Sequence, residues 1–313
     1  MIIIDKDHKP EHLPLVATIG FFDGVHIGHR FLIEQVKTEA ARRGLPSAVI
    51  TFPVHPRKVL QKDYQPALLC GFDEKIERLS TTGIDYCICL DFTVDISKLS
   101  AHDFMQKVLK DSLSVDTLII GYDHRFGHNR EDGFSDYKRY GDAMDMNVVE
   151  AIALPGTEHV SSSRIRRLLG EGQVRKAAQL LSYNYTISGK IVEGFKVGRT
   201  IGFPTANIQL WETYKVIPAF GVYAVYVHVD GKKYDGMLYI GRRPTLHNGD
   251  NISVEVNLFD FEDNLYNKDL TAEFLEFMRH DEKFSDIDTL KDQIRADKDN
   301  VIKYIERYKR IGM

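Results

Sequence analysis

Short apolar runs alternate with helical stripes through the first half of the chain. Residues 13–19, broken by Pro14, and residues 45–52 are apolar runs of strand length, and 86–90 and 117–121 repeat the theme in shorter form. Leu32, Ile33, Val36 and Ala40 recur at helical spacing with Gly44 as a stop, and 73–79 and 101–109 read as further helices. Strands alternating with helices predict an α/β architecture, a doubly wound parallel sheet covered on both faces. Near Tyr183 the texture changes, and strand patterns dominate from 186 to 261. Asp230-Gly231 is a two-residue hairpin signal between 222–229 and 232–240. Ile252, Val254, Val256 and Leu258 alternate with Ser253, Glu255, Asn257 and Phe259, the period-two pattern of a strand. Leu290, Ile294, Val301, Ile305 and Tyr308 then form one helical face. A small antiparallel β-barrel with a C-terminal helix packed on it is expected here, with domains at 1–183 and 184–313.

A length of 313 residues fits two domains, and 43% hydrophobic with 27% charged residues is ordinary for a globular protein. The net charge of -4 argues against nucleic acid as the main partner. Cys70, Cys87 and Cys89 are odd in number and lack CxxC spacing, which points away from a disulfide framework or zinc site and toward a reducing compartment. The apolar start at Met1–Ile4 gives way at once to Asp5 and Lys6, unlike a secretory signal, and no stretch is long and apolar enough to span a bilayer. The expectation is a cytoplasmic protein.

The chemistry concentrates at strand exits. Gly20-Phe21-Phe22-Asp23-Gly24-Val25-His26-Ile27-Gly28-His29 joins the first predicted strand to the first helix. Free backbone N–H groups and the positive end of the helix dipole attract phosphate at such a turn. Gly28 keeps bulk away from that phosphate, and His26 and His29 can donate hydrogen bonds as charge builds on it. Nucleotidyl transfer from ATP is the chemistry this HxGH arrangement suggests. Ser161-Ser162-Ser163-Arg164-Ile165-Arg166-Arg167 opens another helix. Three arginines in a first turn oppose the dipole unless an anion is present, so a clamp for the outer phosphates of ATP is expected. Thr51-Phe52-Pro53-Val54-His55-Pro56 and Gly121-Tyr122-Asp123-His124-Arg125-Phe126-Gly127 also follow strands, placing His55, Asp123 and Phe126 on the same sheet edge.

The second half carries Gly198-Arg199-Thr200-Ile201-Gly202-Phe203-Pro204-Thr205-Ala206-Asn207, a glycine-rich loop without the GxxxxGK pattern of a P-loop. Thr205 and Asn207 lie two apart in an extended segment, so both can face one Mg2+, a hard cation that shares substrate phosphates. Glu255 faces away from Val254 and Val256 and could accept a proton from an attacking hydroxyl. The turn elements around Gly221-Val222-Tyr223 and Gly241-Arg242-Arg243-Pro244-Thr245 could line the same pocket.

In this order the segments resemble the bifunctional bacterial riboflavin kinase/FAD synthetase family, and the resemblance covers almost the whole chain. Residues 20–29, 51–56, 121–127 and 161–166 carry its adenylyltransferase marks, and 198–207, 221–223, 241–245 and 254–256 its kinase marks. The resemblance implies an HxGH nucleotidyltransferase-like domain followed by a kinase barrel, acting on riboflavin, FMN and ATP with Mg2+. The barrel would phosphorylate the ribityl hydroxyl of riboflavin, with Glu255 as base, Thr205 and Asn207 on Mg2+, and Gly198, Arg199, Gly202 and Pro204 around ATP. Gly221 and Tyr223 would contact flavin. The first domain would join FMN to the AMP portion of ATP, giving FAD and pyrophosphate. There Gly20, Phe22, Asp23, Gly24 and Gly28 would form the ATP turn. His26 and His29 would stabilise phosphates, Ser161, Ser162, Ser163 and Arg166 would hold the leaving group, and His55, Asp123 and Phe126 would meet the flavin. Departures from the family pattern fall in the first domain: Pro53-Val54-His55-Pro56 for xPHP, Ser163 for a threonine, and His124 for an aromatic residue.

A class I aminoacyl-tRNA synthetase shares the HxGH signature but needs a KMSKS-like loop and a basic tRNA surface, and neither is present. A second alternative keeps one activity and makes the other domain a flavin-binding regulatory module; a third is a flavin sensor without ATP turnover. Nucleic acid and membrane have no place in the expected chemistry. Small-molecule substrates do, and a weak homo-oligomer or transient contacts with apo-flavoproteins are compatible with it.

Overall fold

The computed structural model describes residues 1–5, 13–61, 63–65, 67–121, 124–128, 131–153, 156, 160–192, 205–242, 252–261 and 265–311. By internal packing the chain divides into two compact units, Met1–Ser162 and Ser163–Met313.

The first unit is a six-stranded, wholly parallel sheet in the order β1-β4-β3-β2-β5-β6, with β1 Ile2–Ile4, β2 Leu15–Ile19, β3 Ser47–Thr51, β4 Tyr86–Cys89, β5 Val115–Ile120 and β6 Asn147–Glu150. Alternate residues of each inner strand feed two separate cores. Leu15, Ala17, Ile19, Ala48, Ile50, Leu118 and Ile120 pack with Phe104, Met105, Leu109 and Tyr137 on one face. Val16, Val49, Cys87 and Ile119 pack with Ile33, Val36, Ala40 and Leu79 on the other. The doubly wound sheet expected from the alternation is therefore present. Helix α1, Ile27–Arg43, ends where Gly44 adopts φ 68° and returns its N–H to Ala40 and Ala41, the stop that the pattern predicts. A short helix α2, Pro56–Leu60, follows β3, and helix α3, Phe72–Ser80, opens with Glu74 accepting the Gly71 N–H at 2.8 Å. The edge strands β1 and β6 escape the pattern because they are short and half-exposed, with Ile2 and Val149 open to solvent.

The chain runs outward from β2 to β3 and β4, then returns to the other side of β2 for β5 and β6. The strand order thus reverses beside β2, and in open parallel sheets ligands bind at the carboxyl ends of strands at such a reversal.

The second unit contains a closed barrel in the order β10-β11-β8-β7-β12-β9. Its strands are β7 Thr186–Val192, β8 Ala206–Leu210, β9 Gly221–Val229, β10 Lys232–Arg242, β11 Ile252–Leu258 and β12 Asp269–His280, paired antiparallel throughout. Asp230 and Gly231 turn the β9–β10 hairpin with φ 50° and 72°, the left-handed pair a tight two-residue turn requires. β9 reads as a continuous apolar run because both of its faces are covered. Tyr223, Val225 and Val227 are fully buried, with Leu238, Val256 and Phe274, inside the barrel. Val222, Ala224 and Tyr226 pack outside it under Val301 and Ile305 of the C-terminal helix, Ile287–Ile311.

Helices Ser162–Gly170 and Val174–Leu181 pack with this barrel: the second lies on β12, the Ala219 N–H donates to the Leu169 carbonyl at 3.0 Å, and Gly172 sits against the Phe277 ring. The packing division after Ser162 accordingly precedes the sequence boundary after Tyr183.

One ion pair anchors the C-terminal helix. Arg279 on β12 donates to both oxygens of Asp297 at 2.7–3.0 Å, and Gln293 adds a third donor at 2.8 Å. Asp297 is 4% exposed, so removing one partner leaves a buried charge unmatched. Asp297→Ala is expected to cost about 3 kcal/mol in the second unit, read as a lower urea midpoint for its transition.

Candidate functional site

At the exit of β2 the backbone is strained. Phe22 and Val25 take φ 54° and 39°, and Gly24 takes φ 78°. Positive φ at a bulky and a β-branched residue is costly and persists only where the surroundings enforce it. Those surroundings are identifiable. Asp23 is 4% exposed and accepts the Leu69 N–H at 2.9 Å, its carbonyl accepts from the Ser162 hydroxyl at 3.0 Å, and the Gly24 N–H donates to Cys70 Sγ at 3.1 Å. Burial pushes the Cys70 thiol up to about 12, so it stays protonated and acts as a structural acceptor. The Gly20 N–H donates to the Ile50 carbonyl at 3.0 Å, tying the turn to β3.

His26 caps α1, its Nδ1 accepting the His29 N–H at 3.3 Å. The two imidazoles stack at 3.6 Å between centroids and 14° between planes. His29 Nδ1 is buried without a hydrogen-bond partner among the described residues. Burial first, then the neighbouring His26 and Lys75, hold the His29 pKa well below its ordinary value, so the ring is neutral near pH 7. A Cβ on Gly28 would meet the His26 ring at 3.3 Å. The glycine thus leaves room for the histidine stack.

His55, at the exit of β3, caps helix Pro56–Leu60 by accepting the Arg57 N–H at 3.2 Å and meets the Phe21 ring edge-on at 4.6 Å. Phe126 stacks on Tyr137 at 4.2 Å, and its N–H donates to the Tyr137 hydroxyl. Asp123 lies outside the described residues. Ser161 and Ser162 belong to the first unit, whereas Ser163 and Arg166 fall in the second, where the Arg166 guanidinium approaches the Ser163 hydroxyl at 3.5 Å.

Sequence patterning passes over Lys75. It is 2% exposed, and its ammonium donates to the Phe21 carbonyl at 3.2 Å, Thr51 Oγ1 at 3.2 Å and the Phe52 carbonyl at 2.8 Å. Burial lowers its pKa. One signal was available: Phe72, Lys75, Ile76 and Leu79 share a helical face, so a cation stands in an apolar stripe.

In the barrel unit the structure gathers Thr205, Asn207 and Glu255. Antiparallel register sets Asn207 directly across from Glu255. The Thr205 hydroxyl donates to Glu255 Oε2 at 3.1 Å, and the Ser253 hydroxyl donates to Oε1 at 3.0 Å. Glu255 shares the outer face of the barrel with Tyr239, its partner on β10, whose hydroxyl donates to Asp281 at 2.9 Å. The donor set is a carboxylate, a hydroxyl and an amide oxygen, all hard ligands. Thr205 gives its proton to Glu255 and keeps its lone pairs for a cation, so these residues fit Mg2+.

Gly221 takes φ 150° against the Arg279 carbonyl, and a Cβ there would overlap that oxygen and the Phe277 ring. Tyr223 has no exposed surface; its ring packs at 5.0 Å from Phe274 and its hydroxyl donates to the Ala219 carbonyl. Its side chain therefore packs inside the barrel. Gly198, Arg199, Gly202 and Pro204 lie outside the described residues.

The FAD synthetase family model matches residues 8–164, and the riboflavin kinase family model matches 181–305. The chain belongs to the bifunctional riboflavin kinase/FMN adenylyltransferase family. It is 37% identical to the member from Listeria monocytogenes over 90% of both chains, and 35% identical to that from Bacillus subtilis over 96% of both. A crystal structure described as a macrolide-efflux protein from Streptococcus pneumoniae superposes with a TM-score of 0.85 at 30% identity, covering 96% of this chain and 98% of that one. Among the described residues no helix is long and apolar enough to cross a membrane.

Gly28→Ala is expected to change stability by less than about 1 kcal/mol, since alanine favours the helix while its methyl crowds His26. The His26 and His29 ring-proton resonances should nonetheless shift as the stack opens, which an NMR spectrum of the variant would show.

Proposed function

We infer that the chain makes FAD in two ATP-dependent steps. The barrel unit phosphorylates riboflavin to FMN, and the parallel-sheet unit transfers the adenylyl group of ATP to FMN with release of pyrophosphate. The observation that carries this reading is the coverage of most of one chain by two family models in succession, with a polar group assembled under each. On this reading the functional boundary lies near Tyr183, close to the start of the segment that the riboflavin kinase model matches.

In the kinase step Glu255 takes the proton of the ribityl hydroxyl as it attacks the γ-phosphorus. The carboxylate is already oriented by Thr205 and Ser253, which limits its reorganisation. Mg2+ bound by Thr205 and Asn207 would neutralise phosphate charge. Gly198, Arg199, Gly202 and Pro204 enclose ATP, and Gly221 lets the backbone approach the flavin.

In the adenylyl step the FMN phosphate attacks the α-phosphorus directly. The neutral His29 and the His26 beside it stabilise the charge developing there, together with the N-terminus of α1. Gly20, Phe22, Asp23 and Gly24 shape the turn around ATP. Ser161, Ser162, Ser163 and Arg166 bind the departing pyrophosphate, while His55, Asp123 and Phe126 contact FMN. Three free cysteines suit a reducing cytoplasm.

Purified protein supplied with riboflavin, ATP and Mg2+ should yield FMN first and FAD after it, as chromatography of the flavins over time would show. His29→Ala should cut FAD formation by about 100-fold and spare FMN formation. Glu255→Ala should cut FMN formation by a similar factor yet still convert supplied FMN. A folded single variant losing both activities would overturn the separate sites. A chain that makes FMN but never FAD would establish the one-activity alternative.

A further inference from the structure

An ammonium group as deeply buried as that of Lys75 needs a reason. Its three hydrogens are all engaged, yet every acceptor is neutral: two carbonyls and a hydroxyl. Among the described residues no carboxylate pairs with it at ion-pair distance. Two aromatic faces complete its surroundings, Phe21 at 4.2 Å and Phe72 at 5.5 Å. Burying an unpaired charge is expensive, and a methionine would fill the same space at lower cost. Stability alone does not explain the lysine.

Its acceptors do. Phe21 opens the strained turn that leads to His26 and His29, and Thr51 and Phe52 begin the exit of β3 toward His55. The Phe21 ring lies against the ammonium on one side and the edge of His55 on another. One side chain therefore links the two loops expected to receive ATP and FMN, and places a buried positive charge beneath them.

We propose that Lys75 is a positioning residue for adenylyl transfer, bracing the exits of β2 and β3 and supplying a buried positive charge to the site that receives the ATP phosphates. This rests on the assignment of the histidine turn to the adenylyl step. The polyanion of ATP adds to the counter-charge of Asp23, the buried carboxylate that already acts on the ammonium from beyond ion-pair distance. In its absence Lys75 acts on the groups around it: His29, which it helps to keep neutral, and Asp23, Cys70, Cys87 and Cys89, which interact electrostatically with the ammonium from the turn, the segment before α3, and β4. Glu74, its neighbour on α3, is occupied in capping Gly71. His26 completes the set by stacking on His29.

The test is Lys75→Met in the full chain, with three readouts: kcat and the KM for ATP in FAD formation from FMN, the imidazole titration of His29 by NMR, and FMN formation as an internal control of folding. The expected result is a fall in adenylyl kcat of about 100-fold, with the His29 midpoint moved to higher pH and FMN formation unchanged. Retention of kcat within about three-fold, or a His29 midpoint that stays put, overturns the proposal. Should the methionine variant lose the thermal transition of its first unit, Lys75→Arg decides the matter. It keeps the charge but not the compact three-way geometry, so kcat should fall at least ten-fold while His29 still titrates low. An arginine variant with full activity overturns the brace, and a raised His29 midpoint in it overturns the charge effect. If His29→Ala leaves FAD formation intact, the site assignment itself fails; an inert His29→Ala beside a fully active Lys75→Met removes only Lys75.

Discussion

Every residue of β2 is buried, and the strand is hydrogen-bonded on both edges, to β3 and β5. A central strand held in this way cannot shift its register without exposing one of the two cores it serves. Its exit point is therefore fixed, and with it the start of α1. Between them lie the seven residues from Gly20 to His26, and their path is set by what they touch. The chain takes positive φ at Phe22, Gly24 and Val25, and the tie points at Leu69, Cys70, Ser162 and Ile50 keep that geometry in place. The stacked histidines sit where this tied-down turn hands the chain over to α1.

The barrel unit reaches a similar end by another constraint. Closure sets the register of β11 against β8, and that register puts Asn207 opposite Glu255. Because β9 and β10 are covered inside by Tyr223 and outside by the C-terminal helix, little freedom remains for the neighbouring strand to slide. Glu255 then meets Thr205 without any loop having to close. Both groups are thus consequences of backbone pairing decided far from the reacting atoms.

Much of this was legible in the sequence, because much of it is local. A strand-to-helix junction, a two-residue Asp-Gly turn and a period-two strand with one carboxylate are each written within about ten residues. The pairing of Thr205, Asn207 and Glu255 was within reach because strand alternation assigns faces without specifying partners. What stayed hidden depends on distant contacts. The partners of Lys75 lie more than twenty residues away, and nothing near Cys70 announces that its sulfur supports Gly24. The motif around Tyr223 suggested a ligand contact and did not announce its packing, because only alternation along β9 shows that its ring turns into the barrel. The short edge strands carry too few residues for any pattern to emerge.

The order in which the barrel's strands are joined bears on how it is made. β9 and β10 are adjacent in sequence and share a tight turn, so their contacts are local and can form within microseconds. The seam between β7 and β12 pairs Ile187 with Ala272 and Thr186 with Glu273, residues on opposite sides of the hairpin in sequence. Closing such a seam carries the loop entropy of everything between, which slows folding in proteins rich in distant pairings. During synthesis β7 must wait with an open edge until β12 has left the ribosome. The parallel sheet, by contrast, has all six of its strands before β7 appears, so the two halves of this chain mature at different times.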